Sequence, residues 1–330
     1  MANIYVDGEL TTGTNNGGSW ANAYQGNVGL QAACDAAVAA DILNLARTFT
    51  LAALIDIDQT SGTQLSPIRV IGYNYNSGSP IVDGTFSTLD GNSAVNNCIL
   101  ANNIDNWIFE NIEFKYAKDD NAGVTGAACK HWSFINCHSH HALGTQLNTG
   151  DGWGGSGTTA FDNVAYVLCQ AYSNAQHGFL GYHAAMFGCT SHDNIDDGYS
   201  ATYSMFNNCI AYSNGDHGFK LSGNENLLVN CVSDGNADTG VYVDDGPSVL
   251  AGCRITNNTW GIRGDASATV LDFYNFLQGN TVPTINCTVI STIKGQNTRT
   301  TTGDEGYINR AAGNFGLLDT AAARRMEVQL

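Results

Sequence analysis

Cys209-Ile210-Ala211-Tyr212-Ser213-Asn214-Gly215-Asp216-His217-Gly218-Phe219-Lys220-Leu221-Ser222 is one copy of a sentence that this chain writes repeatedly. Its cysteine belongs to a series, Cys169, Cys189, Cys209, Cys231 and Cys253, spaced 20, 20, 22 and 22 residues apart. Five residues after each stands an asparagine: Asn174, Asn194, Asn214, Asn236 and Asn258. A glycine follows eight or nine residues after each cysteine (Gly178, Gly198, Gly218, Gly240, Gly261), with Phe179, Tyr199, Phe219, Val241 or Ile262 directly behind it. A period near 20 with short β-type runs and Gly/Asn punctuation predicts a solenoid, one coil per repeat, each coil burying its inner face against its neighbours. Alternation in Phe219-Lys220-Leu221 turns Phe219 and Leu221 inward and Lys220 outward. Coils then lie about 4.8 Å apart, and identical residues pile into an inward file of cysteines and a second file of asparagines whose amides hydrogen-bond from coil to coil.

The ten cysteines are even in number, yet stacked side chains one strand apart keep their Cβ atoms near the strand spacing, wider than the ~3.8 Å of a disulfide. They are expected as free buried thiols, which implies folding in a reducing compartment. No C-x-x-C zinc pattern is present. A formal charge of −17, with no basic stripe, argues against a nucleic-acid partner. No run approaches the ~18 apolar residues of a membrane span, and Met1 to Gly8 has no signal-peptide character. Of the 13 basic and 30 acidic residues, 5 and 4 fall in residues 294–330, so a near-neutral tail follows a strongly acidic body and is expected to dock on a partner or close the rod.

Leu30, Ala33, Cys34, Ala37 and Val38 recur at helical spacing, which predicts an amphipathic helix plugging the open first coil. Residues 1–41 are thus expected as an N-terminal strand and cap, 42–293 as the solenoid and 294–330 as the tail. Two intervals exceed one coil, Cys137 to Cys169 and Cys253 to Cys287, and each is expected to carry an excursion of about ten residues. The first, Asn148 to Gly157, contains Trp153. There the reading stays open between a platform for stacking a sugar ring and a packing anchor folded back on the body.

The opening Trp20-Ala21-Asn22-Ala23-Tyr24, the run Leu30 to Ala37 and the coils from about Cys98 to Cys287 resemble the right-handed parallel β-helix, or pectin-lyase-like, superfamily. The segments Gly306-Tyr307-Ile308-Asn309-Arg310, Asn314-Phe315-Gly316-Leu317-Leu318-Asp319 and Arg324-Arg325-Met326-Glu327-Val328 resemble the ends of short β-helix virion proteins of tailed phages. The resemblance implies an all-β right-handed parallel β-helix. Together with the reducing-compartment thiols and the docking tail, it implies a non-catalytic virion shaft, either a capsid decoration or a tailspike-like adhesin. Such a protein is made in the host cytoplasm and displayed on the virion exterior. Its partners are other virion proteins or further copies of itself in a homotrimer, with a surface polysaccharide as its ligand.

The same superfamily implies an alternative, a polysaccharide-degrading enzyme. Polygalacturonases of this fold place an Asn-Thr-Asp, an Asp-Asp, a Gly-His-Gly and an Arg-x-Lys on neighbouring coils. Here Asn148-Thr149-Gly150-Asp151, Asp196-Asp197, Asp216-His217-Gly218 and Arg263 follow in that order, with a glycine interrupting the first, an extra coil bearing His177, and no lysine after Arg263. Asp151, Asp196, Asp197, His217, Lys220 and Arg263 are therefore the catalytic candidates if the chain is an enzyme. Lys220 or Arg263 is the base if it is a lyase. A carbohydrate-binding surface protein without catalysis is the third option. The column Asp196, Asp216, Asp238 sets like charges about one coil apart, costing about 1 kcal/mol per pair in water; bound calcium or outward solvation relieves it, and no cofactor is otherwise expected. His138, His140 and His141 stand beside Cys137 as a transition-metal cluster or a solvated set.

Overall fold

In the computed structural model, residues 1–76, 79–81, 86–125, 129–145, 149–154, 162–265, 267–273, 275–285, 288–290, 299–301, 307–309 and 314–317 are described. Each coil contributes one strand to each of three parallel sheets, and the strand order within every sheet follows the chain coil by coil. Thus Ala185–Phe187, Met205–Asn207 and Asn226–Val229 pair in the first sheet, and Thr190–His192, Ile210–Tyr212 and Val232–Asp234 in the second. Phe179–Tyr182, Tyr199–Thr202 and Phe219–Ser222 pair in the third. The architecture is the expected parallel β-helix.

Two bends per coil are made by single residues in the left-handed region. Asn136, Leu168, Gly188, Asn208, Asn230 and Gly252 each precede the cysteine position, and Ser173, Asp193, Ser213, Gly235 and Asn257 each precede the asparagine. Gly and Asn adopt that conformation cheaply, which explains their abundance; Leu168, at φ 55°, does so against its own preference.

Behind the bends the files form as the repeat predicts. Cys137, Cys169, Cys189, Cys209, Cys231 and Cys253 are buried and free; Cys98, buried outside this file at the entry to the third sheet, has its thiol pushed up by burial to about 12. Asn174, Asn194, Asn214, Asn236 and Asn258 each pass an Nδ2–H to the Oδ1 of the next asparagine at 2.9–3.1 Å, and that same Oδ1 accepts the preceding asparagine's backbone N–H. Asn280 is the last acceptor. Inside the third sheet Trp153, Phe179, Tyr199 and Phe219 stack ring on ring with centroids 4.8, 5.0 and 4.8 Å apart, matching the coil spacing.

The helix Gly26–Ala36 covers the first coil with Leu30, Ala33 and Cys34 buried, and Ala37 is buried just beyond it. Val38 departs from expectation: the chain turns extended at Ala37, and Val38 is 56% exposed. The second excursion does not exist. Asn275 stands 22 residues after Cys253 in the cysteine's place, its Oδ1 accepting the Cys253 N–H, and Phe276–Gln278 pairs with Arg254–Thr256 in ordinary register. Cys287 lies outside the described residues. Of the tail, Arg299–Thr301 adds a rung to the second sheet beside Phe276–Gln278, while Tyr307–Asn309 pairs antiparallel with Asn314–Leu317. Arg310 and residues 318–330, part of the segments that resemble phage proteins, lie outside the described residues, as does most of the expected docking tail.

Of His138, His140 and His141, the last two bring their Nδ1 atoms to 2.7 Å from each other, but among the described residues no third ligand atom joins them. His140 hydrogen-bonds Glu113 at 3.1 Å and stacks on Tyr172, which stacks in turn on His192 and His192 on Tyr212. His138 packs against Phe86, and burial lowers it to about 4. An imidazole held neutral in the fold and free to protonate near 6.5 when unfolded makes the unfolded state the better proton acceptor between those values. Its contribution to stability is therefore complete above pH 6.5 and declines as pH falls towards 4. His138→Phe, which keeps the ring contact, is expected to flatten this stretch of an acid-unfolding curve followed by circular dichroism; an unchanged slope would place the titration elsewhere.

Candidate active site

The turn between the second and third sheets carries two polar files. Each coil supplies a pair immediately before its glycine: Gln176-His177, Asp196-Asp197, Asp216-His217 and Asp238-Thr239. Glycine follows because there is no room for more. A Cβ on Gly198 would lie 2.7 Å from the Asn214 amide nitrogen and 2.8 Å from the Gly218 carbonyl. The first residue of each pair remains partly exposed and the second turns inward. Asp151-Gly152-Trp153 is the same phrase one coil earlier, a match visible in the sequence but hidden inside the glycine-rich interval. The isolated bridges from Trp153 to Ala122 and to Phe179 join the two halves of the third sheet. Trp153 is 0% exposed, so it is the packing anchor and offers no face to a sugar. Asn148 and residues 155–161 of that interval lie outside the described residues.

The inner file therefore reads Asp151, His177, Asp197, His217, Thr239. Asp151 Oδ1 accepts the His177 N–H at 3.0 Å and Asp197 Oδ1 accepts the His217 N–H at 3.1 Å, so each acid clamps the next coil. Asp120, a position unnoticed in the sequence, clamps in turn the N–H groups of Gly150 and Asp151 at 2.9 and 3.0 Å. Burial, then the neighbouring Asp120, pushes the Asp151 carboxyl well above the usual range. Burial, then Asp196, raises Asp197 to about 7. Burial lowers His177 to about 4 and also lowers His217, so both rings favour the neutral form.

The outer surface of the third sheet carries the cations. Lys220, Tyr242 and Arg263 are register partners on successive coils. Lys220 Nζ lies 3.8 Å from Asp197 Oδ2. Arg263 is tied to Asp238 at 3.1 Å and lies over the rings of Tyr242 and Trp260, with centroid distances of 5.6 and 5.9 Å. Tyr242 and Trp260 were not among the sequence candidates; their signal is their place on the coils that bear Lys220 and Arg263.

All six candidates thus lie along the turn between the second and third sheets and the third-sheet strands beside it, with the coil of His177 standing between Asp151 and Asp197. They divide by access. Asp151 and Asp197 are 1% and 0% exposed, whereas Asp196, Asp216, Lys220 and Arg263 reach solvent. Hydrolysis by a carboxyl pair requires both acids against the sugar, roughly 6.5–9.5 Å apart for inversion. Buried Asp151 and Asp197 do not meet that condition.

Calcium asks for six to eight oxygen ligands. Among the described residues the ligand atoms that converge within 4.8 Å are His177, Asp196 and Asp197, and Asp197, Asp216 and His217. Each set includes an imidazole, and Asp238 belongs to neither, so the column Asp196, Asp216, Asp238 is not the point of convergence. This donor chemistry does not fit calcium.

The family model described as "Right handed beta helix region" matches residues 122–289. Among solved structures, the chain is similar to pectate lyase Pel9A, with 18% identity over 97% of this chain and 88% of that one and a TM-score of 0.65. It is also similar to the A-module of the Azotobacter vinelandii mannuronan C-5 epimerase AlgE4 (12% identity, 88% and 81% coverage, TM-score 0.56) and to a rhamnogalacturonan lyase (13%, 99% and 98%, 0.52). At such identities the likeness is one of fold. No curated protein sequence matches.

Proposed function

This chain belongs to the right-handed β-helix family, and on that premise we propose that it cleaves an acidic polysaccharide by β-elimination, with Lys220 as the base. The observation that carries this reading is the placement of Lys220 and Arg263. On a chain of net charge −17 these two cations stand in register two coils apart on one open sheet face, each held from behind by an aspartate. Arg263 receives a uronate carboxylate. The unprotonated Lys220 amine takes the proton from the carbon next to a uronate carboxylate; the electron pair left behind forms the C=C bond as the glycosidic C–O bond breaks. The departing oxygen collects a proton from water.

The experiment is direct. Purified protein incubated with polygalacturonate, alginate and bacterial capsular uronans is expected to generate the ultraviolet absorbance of an unsaturated uronate on at least one of them. No absorbance across the panel would overturn the reading. A non-catalytic virion shaft would then take its place, partnered by other virion proteins or by two further copies of itself. One observation favours that second reading: the buried acids already have a structural task, because each holds a backbone N–H of the following coil. It predicts that the protein sediments with virions and that removing residues 303–330 releases it.

A further inference from the structure

The inner file leaves polar atoms without hydrogen bonds. Asp197 Oδ2 and His217 Nδ1, like Thr239 Oγ1 one coil on, make no hydrogen bond, although the Asp197 side chain is 0% exposed and that of His217 only 9%; His217 Nδ1 has Asp216 Oδ1 at 3.1 Å as a charge partner, whereas Asp197 Oδ2 has no such close cation. Burying a carboxylate oxygen in this way costs several kcal/mol unless something compensates it. Lys220 is an incomplete answer at 3.8 Å. The atoms around Asp197 Oδ2 point to a different one. His177 Nδ1 lies 3.3 Å away and is also 3.6 Å from Asp196 Oδ2. Two ligands bound at about 2.1 Å with a tetrahedral angle between them are about 3.4 Å apart, so these separations already suit a first-row divalent ion.

We propose that His177 Nδ1, Asp196 and Asp197 form a binding site for a single divalent ion that accepts imidazole nitrogen, of the zinc, manganese or cobalt(II) class, and that calcium is a poor occupant. One nitrogen and two carboxylates leave coordination positions open towards the solvent-facing side of Asp196, as in metal sites that keep a place for water or substrate. The His177 nitrogen suits this role: it accepts the Asp197 backbone N–H at 3.4 Å, which makes it the unprotonated nitrogen of the ring, and a bond this long is readily exchanged for an ion. Asp197 Oδ1 is fixed by the His217 N–H, so only Oδ2 is available, and it is the one that faces His177. A bound ion would replace Lys220 as the partner of Asp197 and release the lysine towards the open face. The set Asp197, Asp216, His217 on the other side repeats the pattern one coil on, but it shares Asp197 with the first set, so the two compete for one carboxylate.

The site is tested by binding, which separates its failure from that of the cleavage reading. Full-length protein freed of metal by chelation is titrated with zinc, manganese and calcium chlorides by calorimetry, and with cobalt(II) by visible absorption. One equivalent of zinc or manganese is expected. His177→Gln should weaken that binding by about 100-fold, the upper end of what even supporting residues of metal sites contribute, while His217→Gln should change it less than about threefold. Glutamine at 177 preserves the backbone N–H that Asp151 holds, and an unchanged circular dichroism spectrum and melting temperature confirm that the variant is folded. No binding, or binding of calcium in preference with His177→Gln unaffected, overturns the proposal. Absence of metal binding in a protein that still cleaves a uronan would leave the proposed function standing and remove only this site.

Discussion

Asn214→Ala is expected to destabilise the protein by about 3–5 kcal/mol, at the upper limit for a single substitution. The amide stands in the middle of the ladder and serves both neighbours. Its Oδ1 accepts the backbone N–H of Asn194 at 3.3 Å and the Asn194 Nδ2–H at 2.9 Å; its own Nδ2 donates to Asn236 Oδ1 at 2.9 Å and to the Ser191 carbonyl at 3.3 Å. Alanine removes all four bonds; the buried Asn194 backbone N–H loses its acceptor outright, while Asn194 Nδ2 keeps Ser191 Oγ at 3.0 Å and Asn236 Oδ1 keeps the backbone N–H of residue 214 at 3.1 Å. The orphaned N–H costs about 1–3 kcal/mol before any relaxation, and the other lost bonds add to it. Because a solenoid is held by its neighbour interfaces, the damage falls on the junction between adjacent coils. Ser200→Ala, an outward position of the next strand, provides the control, expected within about 0.5 kcal/mol. Urea denaturation of the two variants checks both values. A loss below 1 kcal/mol at Asn214 would mean the ladder is ornament and the apolar files alone hold the coils.

That ladder was legible because its residues repeat at a fixed distance from the cysteines, and a solenoid converts sequence period directly into spatial register. The aromatic file was legible for the same reason, up to a point. Trp153 was ambiguous because its interval was measured from Cys137 to Cys169, where extra residues break the count. Measured from the glycine, Asp151-Gly152-Trp153 keeps the repeat's own order. The interval after Cys253 failed similarly: Asn275 fills a cysteine slot, small and polar enough to bond the Cys253 N–H, and a search for sulfur passes over it. Val38 failed because helical spacing says nothing about where a helix ends.

At the candidate site the sequence placed the residues on one face but not at their depths. Asp196 and Asp197 are adjacent and chemically identical, yet one reaches solvent and the other does not, because the turn that leads into the strand Tyr199–Thr202 leaves the first on the surface and brings the second inward. Depth decides chemistry. It converts Asp197 from a carboxyl able to touch a sugar into one that clamps a backbone and, on our inference, holds an ion. It also transfers the reactive role to Lys220, whose alternation in Phe219-Lys220-Leu221 fixed its outward direction from the start.

The second large effect follows from that transfer. Lys220→Met is expected to lower the rate of unsaturated-product formation by about 10²–10⁴-fold, the range associated with loss of a general base. Methionine keeps much of the aliphatic stem between Ser200 and Tyr242, its register partners, so the sheet is expected to fold as before. Lys220→Arg separates the two uses of the charge. A guanidinium still attracts a uronate but does not give up its proton, so binding should survive while turnover falls nearly as far as in Lys220→Met. Arg263→Ala should act in the opposite sense, raising KM more than it lowers kcat, because its task is to hold a carboxylate rather than to move a proton. Steady-state measurements on the three variants, on whichever uronan the wild type cleaves, distinguish these roles. Turnover near wild type in Lys220→Arg would show that the residue supplies charge alone, and the proton would have to leave through another group on this face, with the partly exposed Asp196 and Asp216 the nearest to examine.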